Sequence, residues 1–199
     1  ALQGIFSPSG CPVLRPQTQE ELCGLAFGFD TYHCIEICGG TRDRHLNVCF
    51  RYRNAEVVAM PGSWFKVSGG AKVTARGGSR GEVNDEGCVD AFGDAMIVAR
   101  CGTGRVVAWE KSRVSACDFF TVEARDESQV EACDQAQVYN LGGGTRIGLH
   151  DHASLWRVVP PKDVSRHGFQ CRDVQLPAGP SRGMRMKDAG DLPEGWGLK

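Results

Sequence analysis

The chain has 199 residues, with 23 Lys and Arg against 24 Asp and Glu, 26 Gly, 9 Pro and 10 Cys. That charge balance gives no global basic field of the kind a dedicated nucleic-acid binder carries, so nucleic acid is not an expected partner. No apolar run approaches the roughly 18 residues of a membrane-span candidate, and a hydrophobic content of 41% argues against global disorder.

Thr18-Gln19-Glu20-Glu21 is a capping box, and Leu22, Leu25, Ala26 and Phe29 follow at helical spacing, which predicts a helix near the N-terminus. Thr31 to Cys38 fits helix or strand and is ended by Gly39-Gly40. From Leu46 the period changes to two: Leu46, Val48, Phe50 and Tyr52 alternate with polar residues, as in a half-buried strand. Ala55–Met60 is a second strand, stopped by Pro61-Gly62. Ser63–Ser68 and Ala71–Arg76 flank Gly69-Gly70, a two-residue hairpin signal, and Ala95–Cys101 and Arg105–Trp109 flank Gly102-Thr103-Gly104 as a second hairpin. Asp118–Glu123, Ala136–Leu141, Thr145–Leu149, Ser154–Val159 and Phe169–Val174 are further short strands, while Asp126–Cys133 is expected to form one or two helical turns. After Leu176 the chain is rich in Pro and Gly and reads as a tail.

No internal repeat is read from this pattern. The expected fold is α+β, mainly β: a helical, cysteine-rich N-terminal region followed by a disulfide-stabilised antiparallel β-sandwich or barrel. The expected organisation is one compact unit over 1–199. The alternative is a cysteine-rich domain over 1–95, a β domain over 96–176 and a tail over 177–199. Gly77–Gly87 looks most like a linker, but five cysteines precede it and five follow, so complete pairing requires a bridge across it.

The ten cysteines are Cys11, Cys23, Cys34, Cys38, Cys49, Cys88, Cys101, Cys117, Cys133 and Cys171. Their closest spacing is Cys34-x-x-x-Cys38, with no C-x-x-C, which disfavours a structural zinc site. An even, dispersed set points to an oxidising compartment and about five disulfides, each contributing about 2–4 kcal/mol. Ala1-Leu2-Gln3-Gly4 reads as a mature end, and Asn47, Asn54, Asn84 and Asn140 lie outside N-x-[ST] sequons. A secreted, extracellular protein without a cofactor is the expectation.

Three constellations could carry chemistry. Gly77-Gly78-Ser79-Arg80-Gly81 matches G-x-S-x-G, which would make Ser79 a nucleophile if a strand preceded it and a core helix followed. The segment after it, Glu82 to Gly87, is too polar for that helix. His150-Asp151-His152, six residues after Gly144, resembles the opening of the cupin metal motif, in which two imidazoles on one strand face share a metal. The Glu that the motif needs is missing from Ala153-Ser154-Leu155-Trp156. Residues 41–80 are locally basic, and Arg51, Arg53, Lys66 and Lys72 would form an outer face for an anionic glycan, a membrane surface or an acidic partner if their strands lay side by side. Trp64, Trp109 and Trp156 sit in strand patterns.

The helix start at Thr18–Glu21, the cluster Cys11, Cys23, Cys34, Cys38 and Cys49, and the strand-rich remainder together resemble secreted cysteine-rich proteins of plant-associated fungi. The similarity is to dual-domain effectors in which a cysteine-rich domain precedes a β-sandwich. It implies a virulence or toxin-like role through recognition of a host protein or glycan surface, without catalysis. The alternatives are a hydrolase or metal-dependent enzyme using Ser79 or the His150/His152 pair, and a carbohydrate-binding module.

Overall fold

The computed structural model describes residues 5–6, 11–25, 32–49, 55–157 and 175–176. Strands β1 (Ile5–Phe6) and β2 (Pro12–Leu14) precede one helix, α1 (Gln19–Gly24). Then come β3 (His33–Ile37), β4 (Leu46–Val48), β5 (Ala55–Ala59), β6 (Trp64–Val67), β7 (Lys72–Ala75), β8 (Arg80–Asp85), β9 (Cys88–Ala91) and β10 (Met96–Gly102). The series ends with β11 (Arg105–Ala108), β12 (Arg113–Ala116), β13 (Thr121–Ala124), β14 (Gln129–Ala132), β15 (Gln137–Asn140), β16 (Arg146–Leu149), β17 (Ser154–Arg157) and β18 (Gln175–Leu176).

From β3 to β17 the chain visits two sheets in strict alternation. The odd-numbered strands lie in an 11-stranded sheet and the even-numbered ones in a 7-stranded sheet. Val73 pairs with Val89 sixteen residues on, and Val89 with Val106 seventeen residues on, both in parallel register. From β5 onward each coil therefore takes sixteen or seventeen residues and stacks on the last, while the coils before it are longer, as Ile35 pairs with Val57 and Leu46 with Phe65. The antiparallel pairs are at the ends, β1 with β2 and β17 with β18. This is a two-sheet parallel β-solenoid. Its sheets run unbroken across residues 95 and 96, since β8 pairs with β10 and β9 with β11. Among the described residues, no helix is long and apolar enough to cross a membrane.

The architecture follows from a half-coil of about eight residues. Its second and fourth residues point inward and its first and third outward, as pleating requires. Val122, Val130 and Val138 fill second places and Ala116, Ala124 and Ala132 fourth places, all essentially inaccessible. The eighth place is also interior and is filled by small residues such as Ala71, Ser79, Ala95 and Ser128. A larger side chain there needs space in the neighbouring coil. Phe120 finds it above Gly104, where any Cβ would meet the Phe120 ring at 2.7 Å.

Four-residue turns make most of the corners, closed by bonds such as Ser79 N–H to Arg76 O (3.0 Å) and Ser128 N–H to Arg125 O (3.1 Å). Each needs a left-handed residue. Gly62 and Gly78 supply it in some turns, and Asp85, Cys101, Glu110, Asp118, Asp126, Asp134 and Asp151 do so in others. Asp is among the non-glycine residues that tolerate this conformation best. Its carboxylate also serves the stack, as Asp126 accepts from the Glu110 amide (3.2 Å) and Asp134 from the Asp118 amide (3.3 Å).

The N-terminal end is closed by α1. Thr18 caps it, accepting from the Glu21 amide at 3.2 Å. The Gln19 side chain accepts from Asn47 N–H (2.6 Å) and donates to Asn47 O (2.9 Å), so one amide group takes the place of the next strand beside the edge strand β4. Leu22 on the same helix is 1% exposed and plugs the core. The expected continuation of the helix through Ala26 and Phe29 lies outside the described residues.

This fold corrects the expected α+β antiparallel sandwich: among the described residues the structure is nearly all parallel β with one short helix. The two expected hairpins are not hairpins. Gly69 and Gly70 do take positive φ, 58° and 74°, but β6 and β7 on either side belong to different sheets. The turn carries the chain around a corner instead of back along its neighbour. Asp126–Cys133 holds strand β14, not helical turns, and the supposed linker Gly77–Gly87 contains β8. An internal repeat is present, regular in the coils from β6 to β17. The plan on which the resemblance to dual-domain effectors rests is therefore not the plan of this molecule.

Candidate binding face

Positions one, three and five of each half-coil form flat outer columns, with neighbouring coils about 4.8 Å apart. Cys117 and Cys133 occupy the fifth place in adjacent coils, with Cα atoms 4.7 Å apart, and are joined by a disulfide. Cys11, Cys23, Cys34, Cys38, Cys49, Cys88 and Cys101 carry thiols, and Cys171 lies outside the described residues. Burial, with Glu36 nearby, pushes the Cys34 and Cys38 thiols up.

On the outer side of the 11-stranded sheet the charges neutralise one another. Lys72 meets Asp90 at 2.7 Å, and Arg105 and Arg125 both meet Glu123. Arg125 also lies 4.3 Å from the centroid of Trp109, which stacks on Phe92, and Tyr139 stacks on Trp156 one coil further along. The three tryptophans Trp64, Trp109 and Trp156 thus lie in outer columns, not in the core.

The 7-stranded sheet differs. Glu82 is the hub of its N-terminal half, with Arg100 at 3.2 Å, Lys66 at 3.6 Å and His45 at 4.0 Å. Burial alone would raise the Glu82 carboxyl, but Lys66 and Arg100 outweigh it and hold the group below the usual carboxylate range. Beside this hub runs a column in register: Trp64 pairs with Arg80, Arg80 with Met96, Met96 with Arg113, Arg113 with Gln129 and Gln129 with Arg146. Trp64 stacks on His45, and the Arg80 guanidinium lies 4.8 Å from the Trp64 centroid. Among the described residues, Arg80, Arg113 and Arg146 have no carboxylate partner. Met96 and Val98, between Arg80 and Arg113, are 42% and 44% exposed, an apolar spot within a basic strip. The corners on both sides are acidic, with Asp85, Asp118, Asp134 and Asp151 along one and Asp94, Glu110 and Asp126 along the other.

The residues singled out in the sequence fall elsewhere. Ser79 is fully buried at an eighth place and donates its hydroxyl to the Arg76 carbonyl, as Ser63 does to Met60. It closes a corner and has no access to substrate. His150 and His152 flank the left-handed Asp151 in a four-residue turn, and His150 Nε2 lies 3.1 Å from Glu131. Among the described residues, one group of three candidate metal ligands converges, Cys117, Cys133 and Asp134, and its two sulfurs are joined in the disulfide. Lys66 and Lys72 lie on opposite sheets, each paired with a carboxylate, while Arg51 and Arg53 lie outside the described residues. The arginine column was missed, although its members are spaced by thirty-three residues, the sum of a sixteen- and a seventeen-residue coil. Comparison with protein-family models, with curated proteins and with solved structures returned no match.

Proposed function

We propose that the chain is a non-enzymatic binding protein that works outside the cell and engages its ligand with the outer face of the 7-stranded sheet. The observation that carries this reading is the segregation of side chains by the repeat. Inward places are closed and mostly apolar, while the three arginines without carboxylate partners share one flat column with exposed Met96, and exposed Val98 stands in the column beside it. A parallel β scaffold holds such a column at fixed spacing, so little conformational entropy is lost when a ligand docks. The Cys117–Cys133 disulfide supports an oxidising compartment.

The test is an array of glycans, lipids and proteins probed with the native chain and with a Val98→Asp/Ser115→Asp variant. Both substituted positions are exposed third places, so the core is untouched. The expected result is a ligand retained by the native chain and lost by the variant, with no fluorophosphonate labelling of Ser79 in the native fold. A ligand held equally by the variant, or labelled Ser79, would overturn the reading.

A further inference from the structure

We propose that the basic strip of the 7-stranded sheet binds a single chain of an acidic polysaccharide carrying one anionic group per disaccharide, laid along the solenoid axis over Arg80, Arg113 and Arg146. This rests on the reading above and names its ligand class.

The register sets the spacing. Met96 is the Cα partner of both Arg80 and Arg113, and Gln129 of both Arg113 and Arg146. A cation therefore stands at every second coil, about 9.6 Å apart given coil spacing of about 4.8 Å. Two pyranose rings of an extended chain cover a comparable length. The residues between the cations are neutral, a thioether and an amide, suited to the uncharged ring of each disaccharide. Guanidinium groups form paired hydrogen bonds to carboxylate or sulfate, and none of these three is already taken by a protein carboxylate.

The same geometry selects against other polyanions. Four-residue strands give a strip about 13 Å wide, and acidic corners border it, with Asp85 and Asp118 along one side and Glu110 and Asp126 along the other. A broad anionic surface such as a bilayer or a nucleic-acid duplex would meet those carboxylates, whereas a single polysaccharide chain follows the first-place column and passes beside Glu131, which lies 3.1 Å from His150. Phosphates follow one another at about 3.4 Å along a duplex strand, far closer than the arginines. Single-stranded nucleic acid needs aromatic faces for its bases, and the ring in this column, Trp64, is already stacked on His45 and covered by Arg80.

The experiment measures binding of the whole chain to a hyaluronan oligosaccharide long enough to span the three arginines, at two salt concentrations. A cello-oligosaccharide and a single-stranded DNA of similar length serve as comparison ligands. Hyaluronan should bind and weaken with salt, and cello-oligosaccharide should not bind. Arg113→Gln/Arg146→Gln should lower hyaluronan affinity by roughly tenfold or more, the scale of losing two charge-assisted hydrogen bonds. Lys72→Gln, on the opposite sheet, should leave it unchanged. Thermal melting of each variant verifies the fold. Absence of hyaluronan binding, indifference to Arg113→Gln/Arg146→Gln, or DNA binding of equal strength overturns the proposal. If another array ligand is still lost in Val98→Asp/Ser115→Asp, the proposal falls while the binding-face reading stands. If no ligand depends on the face, both fall.

Discussion

The ring of Phe65 occupies the space into which a side chain at Gly81 would project, one coil further along the same inward column. The two residues are Cα partners in register, and together they fill a volume that other coils divide between two aliphatic residues such as Ile97 and Val114. The glycine inside β8 is thus a packing complement and not a flexible point. Gly81→Ala should destabilise the fold by about 1–3 kcal/mol through overpacking. In a Phe65→Leu background the same substitution should cost clearly less, because the clashing ring atoms are gone. Urea unfolding of the four proteins gives the coupling, and strictly additive losses would show that the two sites do not share space.

The disulfide between Cys117 and Cys133 closes one coil, a sequence separation of 16, between residues that the stack already holds side by side. Restricting a loop of that length in the unfolded chain contributes about 3 kcal/mol. Cys117→Ser/Cys133→Ser should therefore lose about that much stability while keeping the solenoid's circular dichroism. A non-reduced proteolytic map of the native protein should contain the linked peptides, and finding both residues as thiols in material never exposed to reductant would remove the bridge.

Asp118 has two roles at one corner. It takes a φ of 57°, and its carboxylate accepts the Cys101 amide of the preceding coil. Replacing it by Ala adds a left-handed conformational cost of about 1–2 kcal/mol to the lost acceptor. Gly loses the acceptor without that cost. Asp118→Gly should therefore unfold at a higher urea concentration than Asp118→Ala, and the reverse order would mean that the backbone there is not strained for an alanine.

How far the molecule could be read from its residues depends on which signal each element carries. β5, β6, β7, β10, β11, β15 and β16 stand where alternation of apolar and polar residues places them. Alternation reports only that one face is buried, and it is the same in a sandwich and in a solenoid. What separates the two is recurrence at the half-coil length, visible in Val122, Val130 and Val138, which stand eight residues apart. β14 was hidden because Gln129, Glu131 and Ala132 are acceptable helix residues, and its strand conformation is imposed by pairing with β12 and β16. β8 was hidden because Gly81 breaks the apolar pattern, for a reason that lies in Phe65. Similarly, Lys66 and Lys72 are close in sequence but separated by a corner, whereas Arg80 and Arg146 are far apart in sequence and share a column. The candidate face could not be assembled without the coil length.

The Glu82 hub makes the stability of this face depend on pH with a definite sign. Its carboxyl titrates below the ordinary range in the folded state, because Lys66 and Arg100 favour the charged form more than burial opposes it. A carboxylate depressed on folding stabilises the native state fully at pH values above its unfolded pKa of about 4.3 and loses that contribution as pH falls through the folded value. The native chain should therefore lose urea resistance on acidification below about pH 5, and Glu82→Gln should remove that part of the slope. Because Lys66 and Arg100 would then lack their shared partner, Glu82→Gln should also strengthen binding of anions to the strip at neutral pH. Parallel pH–stability curves for the native chain and Glu82→Gln would count against the hub as a stabilising ion-pair cluster. Unchanged anion affinity would show that Glu82 does not tune the strip beside it.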